Sequence, residues 1–177
     1  MRCRDNLIGP ILRIALAMLW LAISPLANAV SVNDWLSEMH DGALHTTEMG
    51  ECALENGQVI EACRLTFRTY GRLAPDLSNI VLMPTWLNGN AEGLATYNYL
   101  GPDGIVDTDD YFVIAVNALG NGISSSPSNS AQSPFPAFTI RDQVRLQHQL
   151  LNEHLNIEHL HAVVGASMGG YQTYEWL

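Results

Sequence analysis

The sequence predicts an α/β fold with a mainly parallel sheet, on three observations. Short continuous apolar runs at Asn79 to Met83, Tyr111 to Val116 and Leu160 to Val164 have the length and composition of strands covered on both faces. Helical patterns lie between these runs, and each connection exceeds the dozen or so residues that a parallel crossover needs. Upstream, residues 51–54 and 58–70 flank an Asn-Gly pair and read as an antiparallel hairpin at the sheet edge.

At the N-terminus, Arg2, Arg4 and Arg13 precede an apolar run from Ile14 to Ile23, and Ala27-Asn28-Ala29 follows as a small-residue cleavage pattern. Residues 1–29 therefore read as a secretory signal peptide with Val30 as the mature start. The apolar run falls short of the ~20 residues that span a bilayer, so no stable membrane insertion is expected after cleavage. The implied destination is periplasmic or secreted. Residues 30–50 are polar and weakly patterned, an N-terminal extension with a short helical turn near Trp35 and Leu36 and with His40 and His45 as solvated loop histidines. Residues 51–177 form the body of the domain.

Export sets the reading of the cysteines. Cys3 leaves with the signal, and Cys52 and Cys63 enter an oxidising compartment as a pair. A four-residue loop from Asn56 to Val59 puts them directly opposite, and a two-residue loop puts them diagonally on one face; a hairpin disulfide is the expectation. Arg64 to Tyr70 alternates polar and apolar residues, as a half-exposed edge strand does.

After the strand at Asn79 to Met83 comes a loop from Pro84 to Asn90. Ala91 to Leu100 can form a helix, which Gly101-Pro102-Asp103-Gly104 breaks. The long segment from Asn117 to Pro136 is rich in Gly, Ser, Pro and Asn and predicts irregular structure. Thr139 to Leu155 is the clearest helix, with Thr139 and Asp142 spaced as a capping box and Ile140, Val144, Leu151 and Leu155 on one face. The strand at Leu160 to Val164 then runs into Gly165-Ala166-Ser167-Met168-Gly169-Gly170, and Tyr171 to Leu177 can open a helix.

Composition narrows the chemistry. The chain has no lysine, and beyond residue 29 five arginines face seventeen acidic residues. Such a surface repels phosphate backbones and disfavours nucleic-acid binding. Asp103, Asp107, Asp109 and Asp110 lack the spacing of a calcium loop and read as a solvated turn. His148, His154, His159 and His161 have no carboxylate or Cys completing a zinc-like spacing, so no metal site is predicted.

Gly-x-Ser-x-Gly on a strand-to-helix turn is the pattern of a nucleophile elbow. The turn is sharp enough to strain the serine backbone, and side chains two residues before and after it would collide, so Gly165 and Gly169 are required. In such a site Ser167 attacks an acyl carbonyl, a His takes its proton, and an Asp orients that His. The oxyanion is held by the N–H of Met168 and by an N–H from the loop after an earlier strand, Trp86 or Leu87. After Ser167 the sequence offers only Glu175 and no His, so the triad Asp and His are not in this chain. It also ends at Trp176-Leu177 inside a nascent helix, and the expectation is the N-terminal part of a longer catalytic domain that is inactive alone.

From about Leu54 to Leu177 the sequence resembles the homoserine O-acetyltransferase family of α/β hydrolases, particularly its exported members. The likeness rests on Phe67-Arg68-Thr69-Tyr70-Gly71-Arg72-Leu73, on Phe135-Pro136 with Thr139-Ile140-Arg141-Asp142, and on Val163 to Gly170 with Gln172 and Glu175-Trp176. It implies an α/β-hydrolase fold, Ser167 as the nucleophile of an acyl-enzyme, and an oxyanion hole made by Leu87 N–H and Met168 N–H. The implied partners are small-molecule acyl donors or esters, with no bound cofactor and acyl-CoA as a co-substrate. Thr85-Trp86-Leu87-Asn88-Gly89 and Ser124 to Ser128 differ from the loops of homoserine-acetylating members, which leaves the acceptor open between an alcohol and water. The readings that follow are an acyltransferase, a carboxylic-ester hydrolase, or a non-catalytic, partner-dependent binding domain.

Overall fold

The computed structural model describes residues 35, 36, 38, 39 and 42–177. The signal-peptide reading, Cys3 and His40 lie outside the described residues. Among the described residues, no helix is long and apolar enough to cross a membrane.

From residue 42 onward the described residues form seven strands and three α-helices in the order β1 (His45–Ala53), β2 (Val59–Tyr70), β3 (Ile80–Pro84), α1 (Ala91–Thr96), β4 (Leu100–Gly101), β5 (Val106–Asp107), β6 (Phe112–Val116), α2 (Ile140–Gln149), β7 (Ala162–Val163) and α3 (Met168–Glu175). Five strands form one sheet in the order β1-β2-β6-β3-β7. β3 pairs parallel with both β6 and β7, while β1 and β2 are antiparallel. The sheet is therefore mixed: β6, β3 and β7 are its parallel part, and the expected antiparallel hairpin lies at one edge. The five-residue strands β3 and β6 are buried along their whole length, as their unbroken apolar runs require.

Alternation along those strands divides the interior in two. Ile80, Leu82, Phe112, Ile114 and Val116 join Leu146, Leu150 and Leu151 of α2 and its last turn on one face. Val81, Met83, Val113 and Ala115 join Ala91 and Leu94 of α1 on the other. Helices on both faces make a three-layer α/β domain. β7 is only half-buried, unlike the buried strand read from Leu160 to Val164, because it lies at an edge of the sheet.

The hairpin is longer than the sequence reading. β1 begins at His45, inside the segment read as an extension, so His45 is a strand residue packed against Phe67 with ring centroids 5.4 Å apart. β2 is an inner strand lying between β1 and β6, not an edge strand. The turn has three residues rather than two or four. Leu54 N–H donates to Gln58 O, Gly57 N–H donates to Leu54 O, and Gly57 takes a left-handed φ of 81°. With that register Cys52 lies opposite Ile60, and irregular pairing further along places Cys63 opposite Gly50. The two cysteines nonetheless form a disulfide, with Cα atoms 5.8 Å apart. Closing a loop of sequence separation 11 stabilises a fold by about 2.7 kcal/mol on the chain-entropy model. Reduction of this bond is expected to lower the unfolding free energy by that order, measured by urea titration with and without reductant.

Two asparagines end helices where hydropathy alone does not. α1 stops four residues before the expected Leu100 because Asn98 (φ 57°) takes the left-handed position after the cap, with Tyr99 N–H donating to Leu94 O. α2 continues through a π-helical turn at Leu150–His154, and Asn156 (φ 55°) terminates it. At its start the capping box is present, Thr139 and Asp142 each receiving the other's N–H. The Asp142 carboxylate also accepts Glu55 N–H at 2.8 Å, docking the hairpin turn on the helix. The segment 117–136 is irregular but well fastened. Buried Ser124 and Ser125 accept the N–H groups of Thr66 and Arg64 on β2, and Gln132 exchanges bonds with Val59 and Glu61.

Candidate active site

β3 leads through α1 to β6 on one side, whereas β7 lies on the other side of β3. The loops leaving the adjacent C-terminal ends of β3 and β7 therefore diverge, and such a switch point opens a crevice in α/β sheets. Thr85 to Asn90 leaves β3 there, and Gly165 to Ser167 leaves β7. The two segments that sequence reasoning selected are thus brought to one end of the sheet.

Ser167 sits between β7 and α3 with φ 55° and ψ −123°, a region that costs a non-glycine residue on the order of 1–3 kcal/mol. Its side chain is exposed and makes no hydrogen bond among the described residues. The flanking glycines are forced by contact. A Cβ on Gly165 would stand 2.2 Å from Gly169 O, and one on Gly169 would stand 2.5 Å from Pro84 O at the end of β3. α3 thus leaves the turn in backbone contact with β3, and the serine hydroxyl faces outward. This is the geometry that a nucleophile elbow requires.

Met168 is the first residue of α3, where helix N–H groups lack intrahelical acceptors. Leu87 lies in the loop after β3 with its residue 67% exposed. That loop is held from below: Thr85 N–H donates to Val116 O, Thr85 Oγ1 accepts Ala118 N–H at 3.0 Å, and Trp86 packs toward Tyr97 and Tyr99. Beyond it, buried Asn117 fixes the start of α1 by accepting Ala91 N–H at 2.8 Å.

Of the candidate acids and bases, Glu175 is bound to Arg141. Glu175 first, then Glu55, raises the pKa of Arg141 by hydrogen bonding and charge. His148 stacks near Trp176 and contacts Asn152, and His161 lies against Tyr111. None of these side chains is hydrogen-bonded to Ser167. Ser124, Ser125 and Ser126 are buried, and the hydrogen bonds of Ser124 and Ser125 go to β2 and to Asn117, giving that segment a structural part. Among the described residues no group of three His, Cys, Asp or Glu is placed to hold a metal ion.

Sequence reasoning missed a buried amide relay beneath the elbow. Trp176 Nε1–H donates to Gln147 Oε1 at 3.0 Å, Gln147 Nε2 donates to Gln172 Oε1, and Gln172 Nε2 donates to Thr85 O at 3.1 Å. The available signal was Gln147 one turn before the apolar pair Leu150 and Leu151, a polar side chain whose burial demands a partner.

A strained, outward-facing serine between two glycines that admit no side chain, set at the switch point among the parallel strands, gives an α/β protein with the turn geometry of a nucleophile elbow. Residues 83–177 match the family model described as the alpha/beta hydrolase fold, and the chain belongs to that family. It is 41% identical over 150 residues to a probable esterase of Corynebacterium glutamicum and 39% identical over 149 residues to an ethyl acetate hydrolase of Pseudomonas veronii. These alignments each take in 82% of this chain and cover 43% and 42% of the respective relatives. A homoserine O-acetyltransferase of Methanococcoides burtonii is 37% identical over 152 residues, covering 75% of this chain and 30% of that protein. Among solved structures, an acetylester hydrolase from Corynebacterium glutamicum superposes with a TM-score of 0.71 at 42% identity, covering 76% of this chain and 40% of that one. The chain thus spans about two-fifths of the length of the first curated relatives it matches.

Proposed function

We propose that this chain carries the nucleophile and the oxyanion hole of a serine acyl-transfer enzyme, and that its reaction is hydrolysis of a small carboxylic ester. The observation that carries the reading is Ser167 itself: an unbonded, exposed hydroxyl on a backbone at φ 55°, ψ −123°. Strain of this kind persists only where the surroundings enforce it. Here the Gly165–Gly169 and Gly169–Pro84 contacts do so.

In the proposed reaction Ser167 Oγ attacks the ester carbonyl carbon and passes its proton to a general base. In this reading the base comes from outside residues 1–177; among the described residues no His is hydrogen-bonded to the serine. The tetrahedral oxyanion takes hydrogen bonds from Leu87 N–H and Met168 N–H, a pair of donors fixed before the charge develops. Collapse expels the alcohol and leaves an acyl-serine; water then attacks that carbonyl, releasing the carboxylic acid and returning the proton to Ser167.

Water as acceptor is favoured by the two relatives named as an esterase and an ethyl acetate hydrolase. Acyl transfer to an alcohol is the second reading, supported by the homoserine O-acetyltransferase relative. We also propose that the protein is exported, a reading supported by the Cys52–Cys63 disulfide, since such bonds persist in oxidising compartments. In that setting an ester is a more accessible acyl donor than acyl-CoA. The test is product analysis of the full-length protein given ethyl acetate, and separately acetyl-CoA with homoserine. Acetate from the ester, with no acetylhomoserine, is the expected result. Faster formation of acetylhomoserine than of acetate overturns the hydrolase in favour of the transferase. Neither product, with no labelling of Ser167 by a fluorophosphonate, leaves a binding domain.

A further inference from the structure

We infer that Gln172 is a positioning residue that locks the two oxyanion donors in register. This rests on the reading of Leu87 N–H and Met168 N–H as those donors. Gln172 lies on α3, one helical turn after Met168, and is fully buried. Its Nε2 donates to Thr85 O at 3.1 Å, two residues before Leu87, and approaches Met168 O at 3.4 Å. One side chain therefore ties the helix that carries one donor to the loop that carries the other.

The direction of every bond in the relay is fixed by its ends. An indole N–H only donates and a peptide carbonyl only accepts. Trp176 Nε1 must therefore meet Gln147 Oε1, which turns Gln147 Nε2 toward Gln172 Oε1 and leaves Gln172 Nε2 for Thr85 O. Flipping either amide puts donor against donor or acceptor against acceptor. Aligned, buried hydrogen bonds of this kind reinforce one another. Gln147 and Trp176 hold Gln172 in one orientation, but only Gln172 touches the loop. That asymmetry separates positioning from simple stabilisation.

Three variants of the full-length protein test this, with p-nitrophenyl acetate turnover and thermal melting as readouts. Gln172→Met removes the tie to Thr85 O. Displacements of about 1 Å near reacting atoms cost up to about a hundredfold in rate, so kcat is expected to fall about 10- to 100-fold with KM changed less than about threefold. Gln147→Met breaks the relay one step away and is expected to lower the melting temperature comparably, yet to keep kcat within about threefold of wild type. Gln172→Glu places a carboxylate against Thr85 O and Met168 O. Burial and these carbonyls favour its protonated form, which again donates. Its kcat relative to wild type is therefore expected to rise as pH falls. Equal kcat losses in Gln172→Met and Gln147→Met, tracking their melting temperatures, overturn the inference, as does unchanged kcat in Gln172→Met. A pH-independent ratio for Gln172→Glu also counts against it. Wild-type labelling of Ser167 by a fluorophosphonate distinguishes these failures from failure of the acyl-transfer reading, under which no labelling occurs.

Discussion

Ser167→Ala in the full-length protein is expected to reduce ester turnover by at least about a thousandfold, the usual consequence of deleting a serine nucleophile. The same substitution should leave the melting temperature near that of wild type. The hydroxyl is exposed and makes no hydrogen bond among the described residues, so its loss removes no structural contact. Ser167→Gly separates function from stability more sharply. Glycine adopts φ 55°, ψ −123° with little strain, so this variant is expected to be inactive yet more stable by about 1 kcal/mol. Paired kcat and urea-midpoint measurements on the two variants check both statements. A destabilised Ser167→Gly would show that the elbow is not strained in solution.

Gly165→Ala is expected to destabilise the fold by at least about 3 kcal/mol, at the upper end of overpacking effects. Its new methyl would stand 2.2 Å from Gly169 O and 2.8 Å from Thr173 Oγ1. Gly169→Ala should be comparably damaging, since its methyl meets Pro84 O at 2.5 Å. In both cases the obstacle is largely backbone, which cannot swing aside as a side-chain tip can. Relief requires α3 to lift from β3, which also pulls Met168 away from the loop bearing Leu87. Activity should therefore fall even where the protein still folds. Gly170 supplies the internal control: a Cβ there approaches Gly165 O at 3.3 Å, so Gly170→Ala should cost much less than either neighbour. Equilibrium unfolding of the three variants gives the comparison.

Features set by local chemistry were legible in the sequence. The apolar runs at β3 and β6 give buried parallel strands because both faces of such strands must be covered. The Thr139–Asp142 capping box and the Gly-x-Ser-x-Gly turn depend on residues within a few positions of one another, and both form as spaced. What escaped depends on partners distant in sequence. Residues 45–50 are polar and lack a clear pattern, yet β2 recruits them as a strand through backbone pairing that their side chains do not advertise. β2 itself alternates like an edge strand, but Asn117, Ser124 and Ser125 cover its polar positions at Thr66 and Arg64. The hairpin loop length was ambiguous because Asn-Gly serves turns of several lengths, and the choice is made by the Leu54–Gln58 pairing. At the site, the serine and its glycines were readable and the amide relay was not, because Gln147 and Gln172 meet only after α2 and α3 pack.

Ser167 as a covalent nucleophile is tested by intact-mass analysis of the full-length protein treated with a fluorophosphonate, which phosphonylates an activated serine with loss of fluoride. A single adduct is expected, mapping to the peptide containing Ser167 and disappearing in Ser167→Ala. Ester turnover that persists in Ser167→Ala, or an adduct that maps to another residue, would contradict it.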